Sequence, residues 1–415
     1  MRSRKLLLSL PLAALLAAAV YAAPPSRPPT TAAASTPLLA PAPAQRLPIA
    51  AARVEQAAAE IDTLSRGILA RGVPGLAVAI VHGERSVLQR GYGRTGGREG
   101  ERVDENTAFR IASLSKGFAG TLSGLLVEDG ALRWDMPLNQ QLPTFRLADA
   151  TGSAHLTVRD VLAHRLGLKH HTFDRDLEGD APFPLLAARL SEAPLLCAPG
   201  ECFGYQNVAF SLIGDVVFAV TGDFYTRQVE RRLFAPLGMA GATFGRDGLE
   251  SSDRWARPHV RSGRGWVAVR PRENYYRVPP AAGINASIAD MALWAKAQLG
   301  HRPELLSPEL LADLHAPLVR TPDQLAGSPW RRTRLRDAHY GTGWRVFDYA
   351  GEPMVYHAGA VQGYRGMIAL LPRRDVAIVV LWHSESALPT GLVPTFLDRI
   401  LNLPPATWVD LKNGR

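Results

Sequence analysis

The sequence predicts an α+β protein: an antiparallel sheet built from both chain ends and flanked by helices, with a mainly helical subdomain inserted at about residues 131–315. Strand-like apolar runs occur before residue 93 and return after residue 340. Between them, apolar residues recur at helical spacing. Because strands and helices do not alternate regularly, a parallel βαβ sheet is not expected. A cleft between the sheet and the helical insertion is the natural place for a ligand.

The N-terminal part of this domain begins with a predicted helix over about 54–70, which Gly72-Val73-Pro74-Gly75 ends. A strand hairpin over 76–92 follows. A second helix opens near Ser113, and Gly130 supplies its stop. Ser113 is therefore expected close to a helix N-terminus, where the helix dipole favours negative charge, including an alkoxide or an oxyanion.

The remaining elements follow from the same two periodicities. The most regular helical stretches are 158–164, 208–220, 225–234, 289–299 and, near the C-terminus, 392–401. Strands are predicted at 341–347, 354–357, 366–371 and 376–382. The sequence contains no internal repeat, and residues 47–415 are assigned to one large domain.

The N-terminus carries the features of an export signal. Basic residues at positions 2–5 precede an apolar run, and Val20-Tyr21-Ala22 offers small residues at the two positions that a signal peptidase reads. Residues 1–22 are interpreted as a signal peptide, cleaved after Ala22, with no membrane span afterwards. An uncleaved anchor is the alternative, because the run approaches spanning length. Residues 23–46, rich in Pro, Ala, Ser and Thr, are expected to form a flexible tether.

The net charge of +9 comes almost entirely from arginine, with 42 arginines against five lysines. These arginines are scattered, apart from one run at 331–336. Since no nucleic-acid-binding motif accompanies them, they are interpreted as a solvated basic surface, and no nucleic-acid partner is expected.

Both cysteines, Cys197 and Cys202, flank a Pro-Gly turn. In an exported protein this arrangement favours a disulfide, with two reduced cysteines as the alternative. Two thiols without suitably spaced histidines make a poor zinc site. The adjacent pair His170-His171 is interpreted as loop surface rather than as a metal ligand.

One of the five lysines, Lys116, follows Ser113 by three residues, which on a helix places both side chains on one face. A buried ammonium can lose its proton, whereas a guanidinium stays charged. A hydroxyl beside such an amine is the arrangement of an activated serine nucleophile. The alternative is a helix with an exposed lysine, because this spacing alone is common. Ser115 is the poorer candidate, since it points away from Lys116.

Two weaker motifs lie farther along the chain. Tyr205 and Asn207 project to one side of an extended backbone. A phenol near an ammonium can act as a general base, and an asparagine can bind a substrate amide. The run His357-Ala358-Gly359-Ala360 ends a predicted strand, where small residues admit a substrate and backbone amides can bind a carbonyl oxygen. His357 is a candidate for binding a carboxylate or assisting proton transfer.

Ser-x-x-Lys at a helix start, Tyr-x-Asn later and His-x-Gly on a late strand together resemble the serine β-lactamase and penicillin-binding protein superfamily. The resemblance is strongest to class C β-lactamases, D-alanyl-D-alanine peptidases and related esterases. Further stretches fit that family in place and order, namely 156–164, 280–284, 289–291 and 340–344. The resemblance spans residues 50–403 and implies the β-lactamase/transpeptidase-like fold.

The resemblance also implies catalytic roles. Ser113 would be the acylated nucleophile, and Lys116 would take or relay its proton. Tyr205 would be the base that also activates the deacylating water. Asn207 would hold the substrate amide, and the amides of Ser113 and Ala360 would form the oxyanion hole.

Further expectations concern substrate and surroundings. The strand residues His357, Ala358, Gly359 and Ala360 would line the substrate site. No metal or cofactor is implied. The expected protein is an exported, periplasmic monomer that acts on a small-molecule β-lactam, peptide or ester.

The last motif departs from the family pattern. Many β-lactamases have Lys-Thr-Gly where this chain has His357-Ala358-Gly359. Histidine, with a reference pKa of about 6.5, is a weaker anchor for a carboxylate at neutral pH. Arg365 is one candidate for the missing charge. The run Trp382-His383-Ser384-Glu385 also replaces an asparagine usual in class C enzymes. Acyl transfer is therefore expected, whereas efficient β-lactam turnover is not.

Three functional hypotheses remain. The first is an exported serine hydrolase that cleaves a β-lactam or a D-Ala-type peptide amide through an acyl-enzyme on Ser113. The second is a carboxylesterase with the same machinery. The third is a non-catalytic penicillin-binding module, which the intact set of Ser113, Lys116 and Tyr205 disfavours.

Overall fold

The computed structural model describes residues 46–97, 100–263 and 265–412. The predicted signal peptide, and the predicted tether except for its last residue, lie outside the described residues. Within the described ranges, no single helix is both long and apolar enough to span a membrane. One bent pair, Ala209–Thr221 with Tyr225–Leu237, reaches that limit only when its two arms are counted together.

Helices and strands both contribute to the described part of the chain. In chain order, the strands are β1 Gly75–His82, β2 Arg85–Gly93, β3 Phe109–Arg110, β4 Thr243–Phe244, β5 His259–Ser262, β6 Gly265–Ala268, β7 Ile284–Ala286, β8 Val319–Arg320, β9 Leu335–Tyr340, β10 Arg345–Tyr349, β11 Glu352–Val361, β12 Tyr364–Leu371 and β13 Val376–Trp382. The α-helices are α1 Ala51–Ala70, α2 Ser115–Glu128, α3 Leu138–Gln141, α4 Ala150–Ser153, α5 Val158–Leu162, α6 Asp174–Glu178, α7 Phe183–Ala188, α8 Leu212–Thr221, α9 Tyr225–Val229, α10 Ala235–Leu237, α11 Gly245–Glu250, α12 Pro279–Ala282, α13 Ile288–Gln298, α14 Pro308–Leu314, α15 Pro329–Arg334 and α16 Leu392–Ile400.

An eight-stranded antiparallel sheet joins the two ends of the chain, in the order β2-β1-β13-β12-β11-β10-β9-β8. Alternate residues of its strands belong to two cores. Val78 and Ile80 pack in the core that also contains apolar residues of α1 and α16, whereas Ala77 and Ala79 pack in the core that contains those of α2 and α13. Covering both faces explains why β1 and β13 are apolar along most of their length. The predicted α+β class, with an antiparallel sheet from both chain ends, is confirmed.

The stretch 131–315 contains α3 to α14 and also four short strands, β4 to β7. Two of its helices begin with a capping box, in which a Ser or Thr side chain and an acidic side chain three residues later satisfy each other's backbone amides. Thr157 with Asp160 caps α5, and Ser287 with Asp290 caps α13. A disulfide joins Cys197 to Cys202 in this stretch.

The turn 341–344 fixes α2 against the sheet. A Cβ added to Gly117 would lie 2.6 Å from the Trp344 ring, and one added to Gly120 would lie 2.2 Å from the Thr342 carbonyl oxygen. Gly343 has a φ of +79°, which glycine adopts without steric cost. These contacts place the first turns of α2 beside the turn that leads into the first residue of β10, Arg345.

The prediction for the chain near this turn is wrong at the start of one strand and missed another strand. The predicted strand 341–347 begins only at Arg345, because the positive φ of Gly343 makes a turn there. The strand β9, at 335–340, was not predicted. The predicted helix at 225–234 is α9 followed by a π-helical turn at Glu230–Phe234.

Candidate active site

Ser113 lies in a single 3-10 turn, Ala112–Leu114, directly before α2. The residue before it, Ala112, is fully buried and has a φ of +51°, a left-handed conformation that costs a non-glycine residue about 1–3 kcal/mol. On the other side, Gly359 of β11 comes so close that an added Cβ would lie 3.0 Å from the Ser113 amide nitrogen. A glycine is therefore needed at this point of β11, and the strand runs directly beside the Ser113 backbone.

Lys116 is fully buried beside this serine. Its Nζ lies 3.5 Å from Ser113 Oγ, and it donates to Asn207 Oδ1 at 2.7 Å and to the Ala281 carbonyl oxygen at 3.1 Å. Burial lowers the pKa of Lys116 below its usual value, although the nearby Tyr205 favours the charged form. The alternative of an exposed lysine is wrong, because Lys116 has no exposed surface.

Asn207 links the lysine to a buried carboxylate. While its Oδ1 accepts from Lys116, its Nδ2 donates to Asp174 Oδ2 at 2.7 Å. His171 Nδ1 donates to the same Asp174 oxygen at 2.6 Å. An amide nitrogen carries two N–H groups, so one remains for a substrate carbonyl. The contact with Asp174 fixes the orientation of the Asn207 amide, because a carboxylate can only accept, so Nδ2 faces Asp174 and Oδ1 faces Lys116.

Tyr205 covers Lys116 from the cleft side. Its ring centroid is 4.7 Å from Lys116 Nζ and 4.5 Å from the ring of the buried His164. Its backbone N–H donates to His170 Nδ1 at 3.1 Å. His164 and His170 therefore hold the loop that carries Tyr205, and the Tyr205 phenol is kept next to the Lys116 amine.

His357 lies behind the cleft wall. It has no exposed surface, accepts from the Tyr340 hydroxyl through Nε2 at 3.1 Å and donates through Nδ1 to the Ala358 carbonyl oxygen at 2.9 Å. Burial, reinforced by the positive charges of Arg345 and Lys116, lowers its pKa well below 6.5, so the ring is neutral at neutral pH. Both ring nitrogens are occupied, and the expected direct contact with a substrate carboxylate is not available in this position.

Most of the predicted site residues line one cleft of about 890 Å³, which we call the Ser113 cleft. Its walls include Ser113, Tyr205, Asn207, Ala358 and Ala360. A larger cavity, of about 1080 Å³, lies elsewhere and contains none of these residues. Within residues 46–97, 100–263 and 265–412, no group of three or more His, Cys, Asp or Glu side chains is arranged to hold a metal ion.

Several cleft residues were not predicted from the sequence. His170 and His171, interpreted there as loop surface, both line the Ser113 cleft, and so do Asp174 and Arg345. The spacing of a motif could not have found Asp174 or Arg345, because each reaches the site only through the tertiary fold. Arg365, the candidate for the missing charge, is not in the cleft lining; its Nη1 donates to the carbonyl oxygens of Val361 at 2.6 Å and Tyr364 at 2.8 Å.

Several known proteins are similar to this chain in sequence or in fold. Unguisins hydrolase ungD' of Aspergillus campestris is 26% identical over 347 residues, which cover 80% of this chain and 63% of that protein. The chain spans slightly less than two thirds of the length of this relative. The octameric penicillin-binding protein homologue from Pyrococcus abyssi superposes with a TM-score of 0.74 and 22% identity over 85% of this chain and 79% of that one. A class C beta-lactamase mutant superposes with a TM-score of 0.67 and 20% identity over 84% and 97%.

The structures establish a shared fold, which a D-amino acid amidase and a hydrolase with promiscuous acyltransferase activity also have. The Beta-lactamase family model matches residues 51–400, which is most of the chain. Members of this family are serine hydrolases. The chain therefore belongs to the beta-lactamase family of serine hydrolases.

Proposed function

We propose that the protein hydrolyses the amide bond of a β-lactam or of a D-Ala-type peptide through an acyl-enzyme on Ser113. One observation carries the proposal: the buried Lys116 amine, with its pKa lowered by burial, lies 3.5 Å from Ser113 Oγ. A desolvated amine is a stronger candidate for accepting a proton at neutral pH than an exposed one. The serine is thereby activated without a histidine base.

In the acylation step, Ser113 Oγ attacks the substrate carbonyl carbon and its proton passes to Lys116 Nζ. The carbonyl π electrons move to oxygen, where the amides of Ser113 and Ala360 would stabilise the negative charge. When the tetrahedral intermediate collapses, the C–N bond breaks and the leaving nitrogen takes up a proton delivered through Lys116 and Tyr205. Asn207 would hold the substrate amide through its remaining N–H.

In the deacylation step, a water molecule attacks the ester carbonyl of the acyl-enzyme. Tyr205, which lies against the buried amine, would accept the proton of this water. The C–O bond to Ser113 then breaks, and Oγ takes back the proton that Tyr205 accepted, passed on through Lys116. A peptide gives a carboxylic acid and an amine, a β-lactam gives one ring-opened molecule that carries both groups, and the free enzyme is restored, so atoms and charges balance without a cofactor.

A carboxylesterase with the same machinery is the second candidate. It is favoured by the neutral His357 and by Ala358, since neither supplies the cation or the hydroxyl that Lys-Thr-Gly offers in many β-lactamases. An alcohol leaves more readily than the nitrogen of an amide, so hydrolysis of an ester has a lower barrier. Less binding energy is then needed to lower that barrier, and a weaker contact with the substrate is sufficient.

We also infer that the protein is exported, because disulfides persist in oxidising compartments and Cys197 and Cys202 are joined. The cleavage after Ala22, the periplasmic location and the monomeric state stay predictions. N-terminal sequencing and the mass of the protein in solution would test them directly.

The test uses residues 46–415 with a chromogenic cephalosporin, a D-Ala-D-Ala peptide and a short acyl ester, each also given to the Ser113→Ala variant. We expect at least one substrate to be hydrolysed by the wild-type protein and by the variant at a rate lower by a factor of about 1000 or more. Mass spectrometry after incubation with benzylpenicillin should place the acyl group on Ser113. Equal turnover by both proteins would contradict the proposal, and turnover of esters alone would select the second candidate.

A further inference from the structure

We propose that Arg345 is the anion-binding residue of the Ser113 cleft and that the substrate carries a carboxylate near its scissile bond. The inference rests on the proposed function and narrows its substrate class. Arg345 is the first residue of β10, directly after the turn that fixes α2. Strand pairing holds it between Tyr340 of β9 and Tyr356 of β11, so its backbone is rigidly placed.

The guanidinium of Arg345 lacks a protein acceptor. Its Nη1 is buried without a hydrogen-bond partner, whereas the residue as a whole is half-buried and lines the Ser113 cleft. No carboxylate of the described ranges is among the groups that act most strongly on it. Buried charged groups are normally paired, since burying an unpaired charge forfeits its hydration. An arginine without a carboxylate partner in a cleft wall therefore needs an explanation, and a ligand that supplies the missing acceptor is one.

Aromatic contacts hold the guanidinium in place. Its central carbon lies 5.3 Å from the ring centroid of Tyr205 and 5.7 Å from that of Tyr340. Lys116 Nζ lies 4.7 Å from the same Tyr205 ring. The guanidinium and the catalytic amine thus lie near the same tyrosine ring, which fits an anion attached to the reacting part of the substrate. A guanidinium held among aromatic rings can bind a carboxylate through its N–H groups.

The carboxylates that line the cleft are each directed to another group. Asp174 binds Asn207 and His171 through Oδ2, while its buried Oδ1 has no hydrogen-bond partner, and Glu178 accepts from the Tyr275 hydroxyl at 2.8 Å. The other two, Asp176 and Asp323, lie 3.5 Å from Arg189 and 3.9 Å from His170, respectively. Burial has the largest effect on the pKa of Arg345 and lowers it, and the groups that act on it next, Tyr205, Tyr340, Arg331 and Tyr356, include no carboxylate.

Arg345 would supply the positive charge that is missing because this chain has His357-Ala358-Gly359 in place of Lys-Thr-Gly. His357 is neutral and buried, and Arg365 is bound to backbone carbonyls outside the cleft lining. The cation is supplied instead from the neighbouring strand. The favoured substrates are amides or lactams that have a free carboxylate on the leaving-group side, and a neutral ester or amide would lack this contact.

The experiment measures binding without catalysis. Calorimetric titration of the Ser113→Ala variant with N-acetyl-D-alanyl-D-alanine and with its C-terminal primary amide compares a carboxylate with a neutral group of the same size. We expect the acid to bind at least about tenfold more tightly. Adding Arg345→Gln should weaken binding of the acid by about ten- to a hundredfold and change binding of the amide less than about threefold.

Two further variants provide controls. Arg345→Lys should retain part of the preference for the acid, because it keeps the charge but not the planar fork. Arg320→Gln also removes one positive charge, from an exposed arginine paired with Asp337, and should leave both dissociation constants unchanged. Circular dichroism and the melting temperature check that each variant is folded.

The outcomes separate this inference from the proposed function. If Arg345→Gln weakens both ligands equally, Arg345 supports Tyr205 rather than binding an anion, and the inference fails. It also fails if Ser113→Ala shows no preference for the acid, including the case in which neither ligand binds. If the preference depends on Arg345 while wild-type Ser113 is never acylated, the anion site stands and the proposed hydrolysis does not.

Discussion

Lys116 combines full burial with three partners that each constrain its ammonium. Asn207 Oδ1 and the Ala281 carbonyl oxygen accept hydrogen bonds from it, and the Tyr205 ring covers it. Burial lowers its pKa, whereas Tyr205 and Asp174 raise it and Arg345 lowers it further. The lysine can thus exchange a proton with Ser113 while remaining held in one position. A guanidinium has neither a compact shape nor an accessible neutral form.

We predict that Lys116→Arg lowers kcat/KM by at least about a hundredfold, which is the usual size of a general acid–base contribution. The measurement is the rate of hydrolysis of the best substrate together with the rate of Ser113 acylation. Lys296→Arg is the matched control, because it makes the same exchange at a half-buried position on α13. Rates near those of the wild-type protein in Lys116→Arg would show that Lys116 does not transfer the proton.

At the residue scale, sequence spacing predicted that Ser113 lies beside Lys116 and that Tyr205 and Asn207 share one side of a loop. The family resemblance, not the spacing, implied that these two pairs form one site, and the tertiary fold does bring them together. The same spacing could not show that His357 is enclosed, because its environment is created by the neighbouring strands β9 and β10. Arg345 was missed for a related reason: in a chain with 42 arginines, only its place in the fold distinguishes it.

At the element scale, α2 and the turn 341–344 act as one unit. The helix presents Gly117 and Gly120 to the turn, and these two glycines let the backbones approach within distances that a Cβ would not permit. This contact positions three residues of the site. Ser113 lies directly before α2, Lys116 lies in its first turn, and Arg345 directly follows the turn 341–344.

We predict that Gly120→Ala lowers the free energy of unfolding by about 1–3 kcal/mol, the usual cost of overpacking. Its Cβ would lie 2.2 Å from the Thr342 carbonyl oxygen, so the helix or the turn must shift. Gly214→Ala in α8 is the control: its Cβ would lie 3.3 Å from Pro280, and alanine favours the helix by about 1 kcal/mol. Urea unfolding of both variants tests this. Equal stability of the two would show that the contact is not tight.

Elements with a clear apolar pattern in the sequence were predicted most accurately. The strand β13 has the predicted bounds, and the hairpin of β1 and β2 extends by one residue beyond each end of the predicted 76–92, because these runs are continuous or alternate clearly. β9 reads Leu-Arg-Asp-Ala-His-Tyr, without a β-branched residue, so its strand character comes from pairing rather than from propensity. The following run, 341–344, was assigned to a strand, but its two glycines place a turn there.

At the scale of the whole molecule, β1 from the N-terminal part pairs with β13 from the C-terminal part in the middle of the sheet. Both cores therefore need residues from both ends of the described domain. α1 and α16 are joined by Arg399, which forms two hydrogen bonds with Glu60, and both helices cover the same core. Since neither end can bury its apolar face without the other, we expect one cooperative unfolding transition for the domain. The burial of titratable groups in these cores then controls how stability depends on pH.

Three histidines, His164, His357 and His383, have no exposed surface. Burial lowers the pKa of each well below 6.5, to about 3 for His383. In the unfolded chain the same groups titrate near pH 6.5. Their contribution to stability is therefore complete above pH 6.5 and is lost as pH falls, because each of these histidines then binds a proton in the unfolded state and not in the folded state.

We predict that the free energy of unfolding falls increasingly steeply below pH 6.5, by up to about 1.4 kcal/mol per pH unit for each buried histidine that stays neutral in the folded protein. Urea unfolding at half-unit steps from pH 8 to pH 5 measures it. His383→Gln should reduce the slope near pH 5 by about 1.4 kcal/mol per pH unit, whatever it does to stability at pH 8, because the unfolded state then binds one proton fewer. His155→Gln, which changes an exposed histidine, should leave the slope unchanged. A constant free energy from pH 7.5 to pH 5.5 would show that these rings accept protons in the folded protein, and the neutral His357 behind the Ser113 cleft would have to be given up with them.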